Sequence, residues 1–384
     1  MKNIINKNRK VVIGLNSGTS ADGVDAAVVR ITSNSYESRV KFMAGKTYSY
    51  SPAFKKRLKK IAELKFDSAR QWLELDIELA ELFAQAARKI VESSGFKFAD
   101  IDFIGSHGHT VRHLPKTRHG AITHQIGDPA RIAVRTGITT IGDFRVADTS
   151  AGGQGAPLTP IVNAILFGRR GSNIGVLNIG GIANLTLLKT KRGALNIFGC
   201  DTGPGNMPVD YISQNLFGRD YDEGGKLARV GRACNPIVSR LLDRKFFNQT
   251  GPKSAGREDF GEDFSRKFLS SCRNRKLNKH DIMATAAMLT VKAVRKCVEL
   301  NKFRFDELIL TGGGVKNHFF KLTLNDLLPS VKITKASDYG YPEDYLEAIS
   351  FAVLANEALC SNRYPLKDVT GAKRAVVLGK ICQA

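Results

Sequence analysis

Apolar and polar positions divide the chain into short strands and longer helices. Val11-Val12-Ile13 reads as a strand, Gly14 to Asp25 as a tip rich in glycine, hydroxyl and carboxylate side chains, and Ala26 to Val29 as a second strand. That succession predicts a β-hairpin. From Ser51 to Ser94 the spacing turns helical, with Leu58, Ile61 and Leu64 and then Trp72, Leu75, Ile77, Leu79, Leu82 and Phe83 on the apolar side. Ile101 to Gly105 is expected to be a buried strand that ends in a loop reaching His113, Ala130 to Thr136 a helix, and Ile138 to Ile141 a strand. A second strand–turn–strand unit follows, with Ile174 to Asn178, a tip from Ile179 to Asn184, and Leu185 to Leu188. It echoes the first. Beyond it the pattern predicts a strand from Leu195 to Phe198, helices at 210–214 and 281–299, and a strand from Leu308 to Leu310 that runs into Gly312-Gly313-Gly314. The last apolar helix opens near Asp344, with Glu347 as the acidic side chain expected to face inward. Strands alternating with helices place the chain in the α/β class.

A chain of 384 residues is long for one core, so two lobes with a cleft are expected. Six scattered cysteines, without C-x-x-C spacing, fit a reducing compartment and make the cytoplasm the expected location. The basic stretch Met1–Lys10 is followed by an apolar run too short for a signal peptide or a membrane span. Charge changes the picture more. With 58 Lys and Arg against 36 Asp and Glu, the net charge of +22 would attract any polyanion. The basic residues are dispersed and no aromatic platform interleaves them, which argues against nucleic-acid binding as the main function. A solvated basic surface that steers a small anionic substrate is the better reading.

The first hairpin tip offers glycine backbone to a polyphosphate and carboxylates to a metal ion, although Asp-Gly and Ser-Gly also make ordinary turns. Five histidines fall between His107 and His124, a density compatible with a metal site, with loop hydrogen bonding or with substrate contact. Arg145 at a strand end could clamp a carboxylate or phosphate, and Asp148 could accept sugar hydroxyls; a plain Arg–Asp pair stiffening the loop is the alternative. Asp201 precedes a Gly-Pro-Gly turn and is the candidate general base, with helix capping or an Asx turn as the alternative. Cys200 has no activating neighbour in sequence and reads as packing. The three glycines at 312–314 suit the adenosine end of a nucleotide.

In this order, the motifs resemble those of the actin, sugar-kinase and Hsp70 ATPase superfamily. Ser17-Gly18-Thr19-Ser20 with Asp22-Gly23-Val24-Asp25, Gly105-Ser106-His107-Gly108, Gly152 to Leu158, Asn178 to Asn184, and Asp201 to Asn206 resemble the anhydro-N-acetylmuramic acid kinase family within it. The resemblance spans essentially the whole chain. It implies a two-lobed actin-like (ribonuclease H-like) α/β fold, with lobes at 1–170 and 171–384 and the active site in the interdomain cleft. It further implies that Asp201 activates water, and that Gly18, Thr19, Ser20, Ala21, Asp22, Gly23, Val24 and Asp25 hold ATP phosphates. Gly180, Gly181, Asn184, Gly312, Gly313, Gly314 and Asn317 would complete the nucleotide site, Asp22 would bind Mg²⁺, and Arg145, Asp148 and Glu347 would bind the sugar acid. A homodimer is implied as well, and the histidines become part of the Ser-His-Gly segment rather than a metal site. Asn16, Ala21 and His109 depart from the methionine, leucine and glutamine usual in the family; the first two are expected to be packing changes, the third to alter sugar affinity or pH dependence. A conventional sugar kinase and a non-catalytic ATP-gated module would carry many of the same motifs.

Overall fold

The computed structural model describes residues 4, 6–18, 21–32, 38–62, 68–114, 117–169, 171–191 and 194–384. The chain divides into two compact units, Met1–Leu166 with Gly340–Ala384, and Phe167–Tyr339.

The first unit is built on a seven-stranded sheet of β1 (Arg9–Ser17), β2 (Gly23–Thr32), β3 (Arg39–Ser49), β4 (Phe103–Leu114), β5 (Ile122–Ile126), β6 (Thr140–Gly142) and β12 (Lys380–Cys382). The order is β12-β6-β4-β1-β2-β3, with β5 paired to β4. β1, β2 and β3 form an antiparallel meander, while β4 runs parallel to β1 and β6 parallel to β4. Alternation assigns each strand position to one face. Ile13, Leu15, Val24, Ala26, Val28 and Ile104 share a core with Leu75, Leu79, Phe83 and Ile90 of the helix Ala69–Ser94.

Gly14 lies on the opposite face, paired directly with Gly105. A Cβ on Gly14 would fall 1.8 Å from the carbonyl oxygen of Ala348, and one on Gly105 would fall 2.2 Å from that of Phe351. The helix Leu346–Leu359 therefore rests almost backbone to backbone on β1 and β4, with Ala352 and Ala355 over the same two glycines.

That contact explains why the division differs from the one expected. The first boundary falls close to residue 170, but residues 340–384 pack with the first unit instead of the second. Thr370 Oγ donates to Asp148 (2.7 Å), Gln154 N–H donates to the Thr370 carbonyl (2.9 Å), and β12 extends the sheet beyond β6.

The second unit holds a five-stranded sheet of β7 (Asn173–Ile179), β8 (Ile182–Lys191), β9 (Ala194–Pro204), β10 (Glu307–Thr311) and β11 (Lys332–Lys335), in the order β11-β10-β7-β8-β9. Its meander β7-β8-β9 is antiparallel, and β10 and β11 continue parallel to β7. Order and directions repeat those of β6-β4-β1-β2-β3. The fold is thus a duplicated ribonuclease H-like sheet, the arrangement expected of an actin-like ATPase. The helix Lys279–Leu300 buries Met283, Ala287, Val291 and Val294 in this unit's core.

Two element ends differ from the expected ones. β4 continues through the Ser-His-Gly segment to Leu114, because β1 pairs with it on one side and β5 on the other. β9 runs to Pro204, so Asp201 lies inside the strand and not at its end.

Replacing Gly105 by alanine sets a methyl against the Phe351 carbonyl and forces the helix off the sheet. A loss of about 1–3 kcal/mol, typical of overpacking, is expected as a lowered urea midpoint at unchanged slope. An unchanged midpoint would show that the close approach is not required.

Candidate functional site

In the first unit the register lines up a polar row. Asn16 of β1 pairs with Asp25 of β2, and Asp25 with Thr47 of β3, so the three share a face with Gly14 and lie under the start of the Leu346–Leu359 helix. Glu347 in that helix's first turn accepts from Asn16 Nδ2 (2.6 Å), and Asp25 accepts from Thr47 Oγ (2.6 Å). Asn16 is therefore not a packing change: it holds a carboxylate. Loss of hydration raises the pKa of Glu347, and Asp25 raises it further; Asp25 is itself raised by burial, Asp344 and Asp22. Glu347 nevertheless keeps exposed surface, while the acid buried in this helix is Glu357, bound by Asn362 and Tyr364. Glu347 still turns its carboxylate inward to Asn16, and Glu357 is a second inward-facing acid of this helix.

The tip residues differ in role. Thr19 and Ser20 lie outside the described residues. Gly18 is open, its nearest neighbour being the Glu347 carboxylate, 4.0 Å from where a Cβ would stand. Ala21 takes a left-handed turn conformation (φ 55°) and is buried. Gly23 serves strand pairing, since a Cβ there would reach the Tyr48 carbonyl at 2.4 Å, and the Val24 side chain is in the core. Asp22 is exposed and forms an ion pair with Lys55.

Arg145 follows β6. Its Nε donates to His107 Nε2 (3.0 Å) and its Nη1 to the Gly155 carbonyl (2.9 Å). A guanidinium has five N–H groups, so three remain for an anion. His107 is buried, stacks on Phe351 (ring centroids 4.2 Å apart), and has its pKa pushed well below the usual value by burial and by Arg145. It is a neutral acceptor. Burial likewise lowers Arg145 to about 10, with Glu347 and Asp148 opposing the shift. Asp148 has no exposed surface; its oxygens accept from Gly155 N–H and Thr370 Oγ, both at 2.7 Å. In place of the open sugar-facing group expected, the structure shows a carboxylate that ties the Gly152–Leu158 loop to Thr370. His109, another departure from the family pattern, is buried with Nδ1 3.2 Å from Ser17 Oγ.

The second unit repeats the polar row. Thr311, Asn178, Asn184 and Asp201 are register partners across β10, β7, β8 and β9 and so share one face. Asp201 accepts from Ala255 N–H (2.7 Å), and its own N–H donates to the Lys253 carbonyl (2.9 Å). Its carboxylate thus binds a distant loop and caps no helix. Burial raises its pKa to about 6, against the opposing effects of Ala255 and Lys253.

Glycines crowd beside this row. Gly205 and Asn206 donate their N–H groups to the carbonyls of Gly181 (2.9 Å) and Gly180 (2.7 Å), and Gly312 has φ 78° with its Cβ position 2.4 Å from Asn178 Oδ1. Next to them a cavity of about 340 Å³ is lined by Asn206, Asp210, Tyr221, Asp222, Gly313 and Asn317 among others. That size suits part of a nucleotide. Asn317 also caps the helix His318–Leu327 through Phe319 N–H (3.0 Å). Asp210 is raised to about 7 by burial and by Asp222, which itself accepts from Leu227 and Ala228 N–H. Another cavity, of about 480 Å³, lies along Lys292, Arg295, Lys296 and Glu299, with its cations already bonded to Asn235, Glu299 and Leu242.

Sequence reasoning passed over Asn178, Thr311, Asp210 and Tyr221 as site residues, and weighed His107 only as one of five clustered histidines. The first two were visible only as neighbours of glycine, and Asp210 only as a helical residue. Among the described residues no group of three His, Cys, Asp or Glu side chains could hold a metal, and no helix is long and apolar enough to cross a membrane.

Residues 10–384 match the profile of the family described as anhydro-N-acetylmuramic acid kinase. The chain is 36% identical to the protein of that name from Caldanaerobacter subterraneus subsp. tengcongensis, covering 98% of each chain. It is 36% identical to the one from Clostridioides difficile (96% of this chain, 97% of the relative), and 36% identical to the one from Francisella tularensis subsp. novicida (97% and 98%). Among solved structures it aligns with component A of the Acidaminococcus fermentans (R)-2-hydroxyglutaryl-CoA dehydratase at a TM-score of 0.46 and 13% identity, over 91% of this chain and 99% of that one.

The electrostatics predict two distinct carboxyl titrations. In a ¹³C-carboxyl NMR titration, Asp201 is expected to have its midpoint near pH 6 and Asp210 near pH 7, and Asp222→Asn should lower the latter. Ordinary midpoints near pH 4 for both would remove the case for a tuned base.

Proposed function

We propose a reaction for this chain on the premise that it belongs to the anhydro-N-acetylmuramic acid kinase family. Membership makes it a phosphotransferase with an alcohol acceptor. The finer reading is that it uses ATP to convert 1,6-anhydro-N-acetylmuramic acid to N-acetylmuramic acid 6-phosphate and ADP in the cytoplasm, recovering a cell-wall sugar. The observation that carries it is Asp201: a buried carboxylate with a pKa of about 6, in one polar row with Asn178 and Asn184 and beside three glycine turns. Such a group is ionised at neutral pH yet basic enough to take a proton from water.

In this reaction Asp201 accepts a proton from water as the water oxygen bonds to the anomeric carbon. The C1–O6 bond breaks with its electron pair moving to O6, and O6 takes the γ-phosphoryl group from ATP. Arg145 presents its unused N–H groups to the lactyl carboxylate, held in place by His107 and Gly155. Glu347, fixed by Asn16, accepts sugar hydroxyls. Asp148 acts through the loop it holds. The Gly18 turn and the Gly180–Gly181 and Gly312–Gly314 turns present backbone N–H groups to the nucleotide, and the cavity at Asp210 and Asn317 takes its nucleoside end.

Mg²⁺ fits Asp25 better than Asp22. Asp25 raises the pKa of Glu347 and is itself raised by Asp344 and Asp22, a negative excess that a divalent cation relieves, whereas Asp22 is already paired with Lys55. When bound, the cation neutralises phosphate charge.

Four measurements test this. With Mg-ATP and the anhydro-sugar in ¹⁸O-water, label is expected on the anomeric oxygen of a 6-phosphosugar. Asp201→Asn should lower ADP release about 10²–10⁴-fold, the usual contribution of a positioned base. The wild-type kcat/KM should rise with pH and level off above about pH 6, because only the ionised carboxylate accepts the proton. Arg145→Ala should raise the sugar KM by roughly ten- to a hundredfold, the worth of a charged hydrogen bond. Turnover with ordinary sugars alone would make the chain a conventional kinase.

A further inference from the structure

Cys200 precedes Asp201 on β9, and Cys297 lies in the helix Lys279–Leu300. Their sulfurs are 3.3 Å apart, and both residues are buried. Burial and Asp201 act against a thiolate at either sulfur, and two neighbours oppose them. Asn301 Nδ2 donates to Cys297 Sγ at 3.7 Å, and the Lys253 charge acts on both sulfurs. Either thiol can donate to the other, but Cys297 alone also accepts from Asn301; its pKa is lowered and that of Cys200 is raised. The attacking and resolving partners are thereby distinguished. By contrast, burial raises Cys272 to about 12, which leaves it inert.

The loop that carries Lys253 links this pair to the candidate base. Asp201 N–H donates to the Lys253 carbonyl, Asp201 accepts from Ala255, and Gly251 N–H donates to Asn301 Oδ1 (2.8 Å). One loop is therefore fastened to Asp201 at one end and to the residue that bonds Cys297 at the other. Displacing that loop breaks its bonds to Asp201 and to Asn301 together.

We propose that Cys200 and Cys297 form a reversible disulfide that switches the enzyme off under oxidation by hydroperoxides. The Cys297 thiolate attacks the outer oxygen of the hydroperoxide, leaving a sulfenic acid and an alcohol, or water when the oxidant is hydrogen peroxide. Cys200 then attacks the sulfenic sulfur, its thiol proton leaves with the sulfenic oxygen as water, and the S–S bond forms. Two thiols are oxidised, one peroxide bond is reduced, and a small dithiol reverses the change. Closing the gap from 3.3 Å to a covalent bond draws β9 toward the helix by about an ångström. A shift of that size at a catalytic group costs about 10²-fold in rate. The effect on turnover rests on Asp201 as the base; the bond itself does not.

The test treats reduced wild-type protein with graded hydrogen peroxide, blocks remaining thiols under denaturing conditions, and maps linked peptides by mass spectrometry beside an assay of sugar-dependent ADP release. The expected result is a Cys200–Cys297 linked peptide appearing before Cys234, Cys360 or Cys382 is modified. Turnover should fall about 10²-fold in parallel, dithiothreitol should restore it, and Cys297→Ala should be insensitive. Free thiols at both positions while the half-buried cysteines oxidise would overturn the proposal. So would a linked peptide without loss of turnover, or a loss that Cys297→Ala still shows. Absence of any sugar-dependent turnover in the reduced protein would count against the assigned reaction, whereas the linked peptide would still be read by its mass.

Discussion

The first unit depends on how closely a helix can lie on a sheet. Gly14 and Gly105 are side by side on parallel strands, and nothing larger leaves room for the carbonyls of Ala348 and Phe351. Ala348, Ala352 and Ala355 extend the smooth surface along the helix. Van der Waals contact at this distance fixes the helix in rotation and in height, and so fixes Glu347 above Asn16 and Phe351 against His107. The geometry around Arg145 follows, because His107 is held between that aromatic ring and the guanidinium.

A second constraint is electrostatic. The first unit gathers Asp25, Glu347 and Arg145 where hydration is poor, so each charge is expensive alone and responsive to the others. Neutral His107 orients Arg145 without competing for its charge. In the second unit a single carboxylate, Asp201, is raised by the same loss of hydration and held in check by one backbone N–H. The two polar rows, Asn16–Asp25–Thr47 and Asn178–Asn184–Asp201, occupy equivalent strands of the repeated sheet. Duplication gave the same frame two chemistries.

Much of this was legible from local pattern. Both hairpins announce themselves through alternation around glycine, and the strand into Gly312 and the helix at 281–299 lie close to where periodicity puts them. Period identifies a face but not the neighbour that covers it. The return of residues 340–384 to the first sheet, the link between Asn16 and Glu347, and the meeting of Cys200 with Cys297 are contacts between positions far apart in sequence. β3, β5, β11 and β12 were missed because they are short or carry weak alternation and depend on a partner strand. Asp201 was singled out as a carboxylate at a strand end, whereas it lies inside β9, and the loop that holds it lies 54 residues on.

The return of the C-terminal segment has a consequence for biosynthesis. The ribosome delivers β1 and β4 before the second unit and the helix Leu346–Leu359 after it. Until then the Gly14–Gly105 face has no cover, and its apolar backbone groove is open to any passing chain. The intervening unit, Phe167–Tyr339, contains all five of its strands in one continuous stretch and can close while the first is still unfinished. Vectorial synthesis therefore reverses the order of the units: the half begun first is completed last, and a stalled or truncated message leaves it, not its twin, exposed to chaperones and proteases.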